Sequence, residues 1–320
     1  MRYEAQRTVE RPITIEGIGV HTGKPATVTI KPAGAGVGIK FIRSDLEPGI
    51  SIPARYDSVC ATDLCTAVGE SSGANISTIE HLMSALAGLG VDNAIVEVDG
   101  AEMPIMDGSS SVFVEAVEEA GLAELAAPRR FIKVLKKVRV ENGAAFAELS
   151  PCSKGFKLDI EVHFECSVIG RQRAQFELTR DSYRRDVSRA RTFGFLKDVE
   201  RLWKAGMALG ASLDNTVAIG DERVLNPEGL RYRDEFVRHK ALDAIGDLAL
   251  AGLPLIGSFR SYRGGHRLNV SVLEALFADK SAYRVLEPSV VEASKAVATA
   301  SAWRGDFVPA GAAAFAPDMS

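Results

Sequence analysis

Within Asp234-Glu235-Phe236-Val237-Arg238-His239-Lys240-Ala241-Leu242-Asp243-Ala244-Ile245-Gly246-Asp247, polar residues recur four apart in an otherwise helical pattern. His239, Asp243 and Asp247 therefore share one helix face, where apolar residues would ordinarily be expected. An imidazole and a carboxylate at i and i+4 can bind one metal ion, and a third ligand from elsewhere leaves a coordination position open for water. A lone His-x-x-x-Asp is more often a solvated face or a helix-stabilising pair, so the other parts of a site must be found elsewhere in the chain.

The search is short, because the chain has only five histidines: His21, His81, His163, His239 and His266. His81 is the best third ligand, since it follows Glu80 at the start of another helical stretch. Glu80 admits two readings. Ser77-Thr78-Ile79-Glu80 matches a capping box, in which the serine and glutamate satisfy backbone donors at a helix N-terminus. Beside a metal, the same carboxylate is a general base for a water whose pKa the ion has lowered. His266, after Gly264-Gly265, reads as a loop histidine, either simply exposed or a general acid. Asp247, one turn beyond Asp243, can hydrogen-bond it and favour its protonated form. His163, between Val162 and Phe164, reads as a strand residue without a role, and His21 is ambiguous. Two glycine-rich stretches are decoys. Gly17 to Lys24 has the wrong spacing for a phosphate loop, and its lysine precedes Pro25 and a strand; Gly34 to Gly38 does not match the dinucleotide fingerprint.

The elements that must position these residues fall into two similar halves. Residues 8–43 alternate like strands, Pro53 to Gly73 reads as irregular, Ser77 to Leu89 as a helix, Asn93 to Val98 as a strand and Ser110 to Ala120 as a second helix. Ala126 to Arg130 reads as a connection, and strands begin again at Phe131–Val140, Ala144–Leu149, Lys157–Phe164 and Ala174–Leu178. A helix from His239 to Ala251 is followed by Gly252-Leu253-Pro254 and a strand, just as the helix holding His81 is followed by Gly-Leu-Gly and a strand. The pattern predicts a duplicated α+β unit, with domains at 1–127 and 128–308 and a frayed tail at 309–320. Equivalent helices holding His81 and His239 can meet across a domain interface, a common place for an active site.

Composition excludes several functions. A formal charge of −4 gives no hint of nucleic-acid or membrane-surface binding by the chain as a whole. The cysteines, Cys60, Cys65, Cys152 and Cys166, lack CxxC spacing, which argues against a disulfide framework or thiolate zinc knuckle and fits a reducing cytoplasm. The N-terminus has no apolar leader, and no stretch reaches the roughly 18 apolar residues of a membrane span.

Taken together, several motifs resemble the bacterial UDP-3-O-acyl-N-acetylglucosamine deacetylase family, which carries out the committed step of lipid A synthesis. They are Gly19 to Lys24, Ser77 to Leu82, Met103-Pro104-Ile105-Met106-Asp107-Gly108-Ser109, Ser188-Arg189-Ala190-Arg191-Thr192-Phe193-Gly194-Phe195, Leu225 to Arg231, the Asp234 to Asp247 segment and Gly265-His266. The resemblance implies that His81, His239 and Asp243 bind one zinc ion. Glu80 would activate water, His266 would protonate the departing amine, Thr192 would hold the oxyanion and Asp247 would orient or charge His266. Lys240, Phe193, Arg263 and Gly265 would bind the substrate. The resemblance also implies two β-α-α-β sandwich domains, their helices packed between two sheets, with an insert in each; the second insert, about 193–220, would form an apolar passage for the acyl chain. Phe195, Leu196, Leu202, Trp203, Met207 and Leu209 could line it, with ordinary core packing as the alternative for about half of them. A cytoplasmic monomer of Gram-negative bacteria is expected, with no nucleic-acid partner. The rival readings are a non-haem iron oxygenase, which also uses two histidines and a carboxylate, and an inactive sugar-nucleotide-binding protein.

Overall fold

The computed structural model describes residues 4–287. The expected tail at 309–320 and the end of the second expected domain lie outside the described residues. The architecture is mixed α+β. The first half runs β1 (Ala5–Val9), β2 (Ile13–Ile18), β3 (Pro25–Pro32), β4 (Ile39–Arg43), β5 (Ile50–Pro53), short β6 (Val59–Ala61), β7 (Ala67–Gly69) and β8 (Asn75–Ile76), α1 (Glu80–Leu89), β9 (Ala94–Val98), α2 (Ser111–Ala120) and β10 (Leu122–Pro128). The second runs β11 (Phe131–Val134), β12 (Val138–Asn142), β13 (Ala145–Ser150), β14 (Phe156–His163), β15 (Arg171–Glu177), α3 (Arg180–Asp186), β16 (Phe193–Phe195), α4 (Val199–Lys204), β17 (Val217–Ile219), α5 (Glu235–Ala249), β18 (Leu255–Tyr262), α6 (His266–Ala278) and β19 (Tyr283–Leu286).

Strand alternation works as read. In β3, Ala26, Val28 and Ile30 are buried while Thr27, Thr29 and Lys31 are partly exposed. Gly17 to Lys24 spans the end of β2 and the turn into its antiparallel neighbour β3, which removes the phosphate-loop reading structurally as well.

Both halves use one strand order. In the first, β9 is antiparallel to β3 and parallel to β4, with β2 and β5 outside them. In the second, β18 is antiparallel to β13 and parallel to β14, with β12 and β15 outside them. The start of β18 also pairs in parallel with β11, which is antiparallel to β19. Correspondingly, β1 makes a parallel bridge from Thr8 to Asn93, just before β9, and is antiparallel to β10. α1 and α5 precede the central strands, α2 and α6 follow them, and α1 packs directly on α5.

Five readings are corrected. The helix carrying His81 begins at Glu80 rather than Ser77, because Thr78 has φ 59° and turns the chain out of helical geometry. The capping box does not form: Ser77 Oγ donates to the Ala101 carbonyl, and no side chain caps the helix. The expected strand Phe131–Val140 is broken between β11 and β12. His266 is no loop residue; it opens α6 and is buried. The stretch Pro53 to Gly73, read as irregular, holds β6 and β7.

Candidate metal centre and active site

Gly246 sets the spacing of α1 and α5. A Cβ there would lie 2.1 Å from the Glu80 carbonyl oxygen, so only hydrogen allows the two backbones to approach this closely. That approach lays Glu80 and His81, at the start of α1, over His239, Asp243 and Asp247 of α5.

His239 Nε2 and His81 Nε2 lie 3.3 and 3.7 Å from the same oxygen, Asp243 Oδ1. The imidazole rings stand edge to face at 88°, and one donor atom from each of the three residues lies within 4.8 Å of the others. All three side chains are buried. His239 Nδ1 is 3.0 Å from the Ala190 carbonyl, so that nitrogen carries the proton and Nε2 presents its lone pair to the group. Asp243 Oδ2 accepts from Lys240 Nζ at 2.7 Å, whereas Oδ1 is buried with no hydrogen-bond partner among the described residues.

Those observations fit a metal cation. A buried anionic oxygen without a donor is costly, and two nitrogen lone pairs beside it are repulsive unless something positive lies between them. Burial holds His81 down at about 3 and also lowers His239, so both imidazoles are neutral, the form that ligates. Burial opposes ionisation of Asp243, but the Lys240 ammonium beside it keeps the carboxyl below its ordinary range.

Next to this group, Glu80 Oε1 lies 3.9 Å from His266 Nε2. Glu80 Oε2 accepts the Thr66 backbone N–H at 3.0 Å, a bond that takes the place of the expected cap. His266 Nδ1 is 2.9 Å from Asp247 Oδ2, which also accepts from Asn269 Nδ2 at 2.9 Å; Asp247 Oδ1 accepts from Thr66 Oγ1 at 2.6 Å. Burial raises the Glu80 carboxyl to about 7, reinforced by Asp247 and Asp243 and opposed by His266. For His266 burial works against the charge, but Asp247 and Glu80 prevail and raise the imidazole to about 9. A carboxyl and an imidazole whose environments push them in these ways can divide base and acid work between them.

Thr192 reaches the region through Arg191, whose buried guanidinium and backbone N–H both donate to Glu235 Oε1, at 2.9 and 3.0 Å. The same clamp fixes Ala190, whose carbonyl orients His239. Thr192 N–H donates to the Gly108 carbonyl at 2.7 Å, and Asp107 pairs with Arg231 at 2.7 Å, which joins three of the sequence motifs. Phe193 lies edge-on to His239 and to Phe236, with Lys240 Nζ 5.6 Å from its ring centroid. Lys240, Arg263, His163, Phe164 and Phe195 line a cavity of about 570 Å³. His163, read as having no role, is therefore a lining residue. Gly265 precedes α6 in extended conformation with open space around it, so no close approach requires a glycine there.

Sequence reasoning missed Thr66, Asn269 and Glu102. Glu102 is buried and accepts from the backbone of His21 and Thr22 and from both Thr22 and Thr78 hydroxyls, which accounts for the Gly19 to Thr22 turn. Asn269 follows His266 by one helical turn, a spacing that was available as a signal.

The fold and site define an α+β protein with a buried His-His-Asp group able to hold a metal, flanked by a carboxyl and an imidazole of raised pKa. Residues 6–278 match the family model described as UDP-3-O-acyl N-acetylglycosamine deacetylase. UDP-3-O-acyl-N-acetylglucosamine deacetylases of Brucella ovis, Brucella abortus and Brucella melitensis are each 51% identical over 283 residues, 88% of this chain and 98% of theirs. The chain belongs to this deacetylase family and is an enzyme. No helix among the described residues is long and apolar enough to cross a membrane.

Proposed function

We propose that the protein hydrolyses the N-acetyl group of UDP-3-O-acyl-N-acetylglucosamine to UDP-3-O-acyl-glucosamine and acetate, the committed step of lipid A biosynthesis, as a cytoplasmic monomer in a Gram-negative bacterium. The observation that carries the reading is the convergence of His81, His239 and Asp243, with an unpartnered buried Asp243 oxygen, beside Glu80 and His266. These three residues would hold one zinc ion, which when bound supplies a Lewis acid and a water of lowered pKa.

Glu80 takes the proton from the attacking water; its Oε1 makes no bond to Thr66 and lies 3.9 Å from His266 Nε2. The Thr192 hydroxyl donates to the oxygen that gains charge as the carbonyl becomes tetrahedral. His266, kept protonated by Asp247, gives its Nε2 proton to the departing amine, a poor leaving group without it. Lys240 and Arg263 meet the phosphate-bearing portion of the substrate, with Phe193 near the sugar and Gly265 leaving room beside His266; cations lining the 570 Å³ cavity support this.

The repeated strand order supports two similar sandwich domains, 1–127 and 128–308, with helices between the sheets and one insert in each: β6 to β8 in the first, about 193–220 in the second; the expected connection at Ala126–Arg130 shrinks to residues 129–130, because β10 runs to Pro128. None of the six apolar candidates in the second insert is buried, and Leu196, Trp203 and Leu209 are more than half exposed at 56%, 55% and 53%, which favours an acyl passage over core packing. An oxygenase or an inactive binding protein would give Glu80 and His266 no task. The direct test is release of acetate from the UDP-sugar by purified, metal-loaded protein, with the free-amine, still 3-O-acylated product identified by mass; no release at any acyl length would overturn the assignment.

A further inference from the structure

Thr66 is fully buried just before β7, and each of its polar groups is engaged with the active-site elements. Its N–H donates to Glu80 Oε2 at 3.0 Å, its hydroxyl to Asp247 Oδ1 at 2.6 Å, and its carbonyl accepts the Ile79 N–H at 3.3 Å, at the entry to α1. Two buried carboxylates thus share one residue, which occupies one oxygen of each. The other two oxygens, Glu80 Oε1 and Asp247 Oδ2, are the ones that face His266. Without the hydroxyl, Asp247 Oδ1 would be buried with no donor, and the carboxylate would gain by rotating its other oxygen away from His266.

We propose that Thr66 is a positioning residue for catalysis, clamping the base Glu80 and the acid's partner Asp247 in register, and that delivering it is the task of the first insert. This rests on the roles of Glu80 and His266 proposed above. Thr66 is not one of the metal group and is fully buried with its N–H, hydroxyl and carbonyl all engaged, so it acts through the residues it holds.

The test is kinetic, on the metal-loaded enzyme, with Thr66→Val, Thr66→Ser, Glu80→Gln and His266→Gln in parallel. Thr66→Val keeps the backbone bond and shape but removes the hydroxyl; it should lower kcat about 10- to 100-fold, as loss of a supporting hydrogen bond around a metal site typically does. KM should stay within about twofold because no substrate contact is lost. Metal content should match the parent, and Thr66→Ser should restore most of kcat. In an Asp247→Ala background Thr66→Val should cost less than about threefold more, because the hydroxyl's partner is already gone. If Thr66→Val does not fold, Thr66→Ala removes the same hydroxyl without adding a methyl and takes its place. Parental kcat in Thr66→Val, equal losses in Thr66→Ser and Thr66→Val, or fully multiplicative losses with Asp247→Ala would each overturn the clamp. Parental turnover in Glu80→Gln and His266→Gln would instead overturn the acid-base roles themselves.

Discussion

The imidazole of His266 and the carboxylate of Asp247 are joined Nδ1 to Oδ2 at 2.9 Å, both buried, so the ring's other nitrogen is held toward Glu80 and the ring stays charged. Burial alone would discharge His266; Asp247 and Glu80 outweigh it and raise the imidazole from 6.5 to about 9. The profile of kcat/KM should therefore fall on its alkaline side as His266 loses its proton. In Asp247→Asn that limb should move to lower pH by about one unit or more, because the chief raising charge is gone. A raised folded-state value means the pairing stabilises the fold fully below 6.5 and loses that effect as pH climbs through about 9. Thermal melts should accordingly show Asp247→Asn lowering Tm more at about pH 6 than at about pH 10. An unmoved alkaline limb would remove Asp247 from the acid's support.

His239→Ala and Asp243→Asn should each lose most bound metal while retaining parental circular dichroism. Both side chains converge on one point, and the Asp243 oxygen aimed there, Oδ1, has no hydrogen-bond partner among the described residues. Elemental analysis of the parent should find about one zinc per chain, falling to less than about a tenth in the variants. Chelation should abolish turnover and added zinc restore it. A stoichiometric ion in His239→Ala would mean that the metal is held elsewhere.

The legibility of this site in the sequence follows the kind of interaction involved. His239, Asp243 and Asp247 were readable because helical spacing alone puts them on one face, and Glu80-His81 because an acid and an imidazole stand adjacent at a helix start. The helix-start reading of Glu80 failed as a cap because Thr78 adopts a left-handed conformation that its residue type does not advertise. His266 looked like a loop residue because Gly264-Gly265 hides the start of α6. Thr66 was unreadable: its clamp uses a backbone N–H as well as a hydroxyl, and its partners lie 14 and 181 residues away. The likeness of the two halves was visible only as repeated order of elements, since sheet pairing tolerates sequence change provided that alternation is kept.

Arg263 is exposed beside the cavity that Lys240 lines, and its own backbone N–H is fixed to the Glu161 carbonyl at 2.9 Å. Its side chain is therefore available to an anionic part of the substrate without being needed for folding. Arg263→Ala should raise KM for the UDP-sugar about tenfold, equivalent to about 1.4 kcal/mol, with kcat little changed. Arg263→Lys should retain much of the affinity, because a single point charge still serves a phosphate. Steady-state kinetics at two ionic strengths check this, since the difference from the parent should shrink as salt rises. An unchanged KM would place the diphosphate elsewhere.

Gly246→Ala tests whether helix spacing, rather than ligand identity alone, makes the site. The added methyl would meet the Glu80 carbonyl oxygen at 2.1 Å, and Glu80 Cα at 3.0 Å, so α1 and α5 must separate. Backbone cannot rotate aside as a flexible side chain can. Overpacking of this kind typically costs about 1–3 kcal/mol, which the midpoint of chemical denaturation should report. Separation would also carry Glu80 and His81 away from His239, Asp243 and His266, although none of these side chains has been altered. Metal affinity and kcat should therefore fall together in the folded population, by at least about tenfold in rate for a displacement approaching 1 Å. A variant that is destabilised yet fully active per folded molecule would show that the site tolerates a wider gap, and that Gly246 serves packing alone.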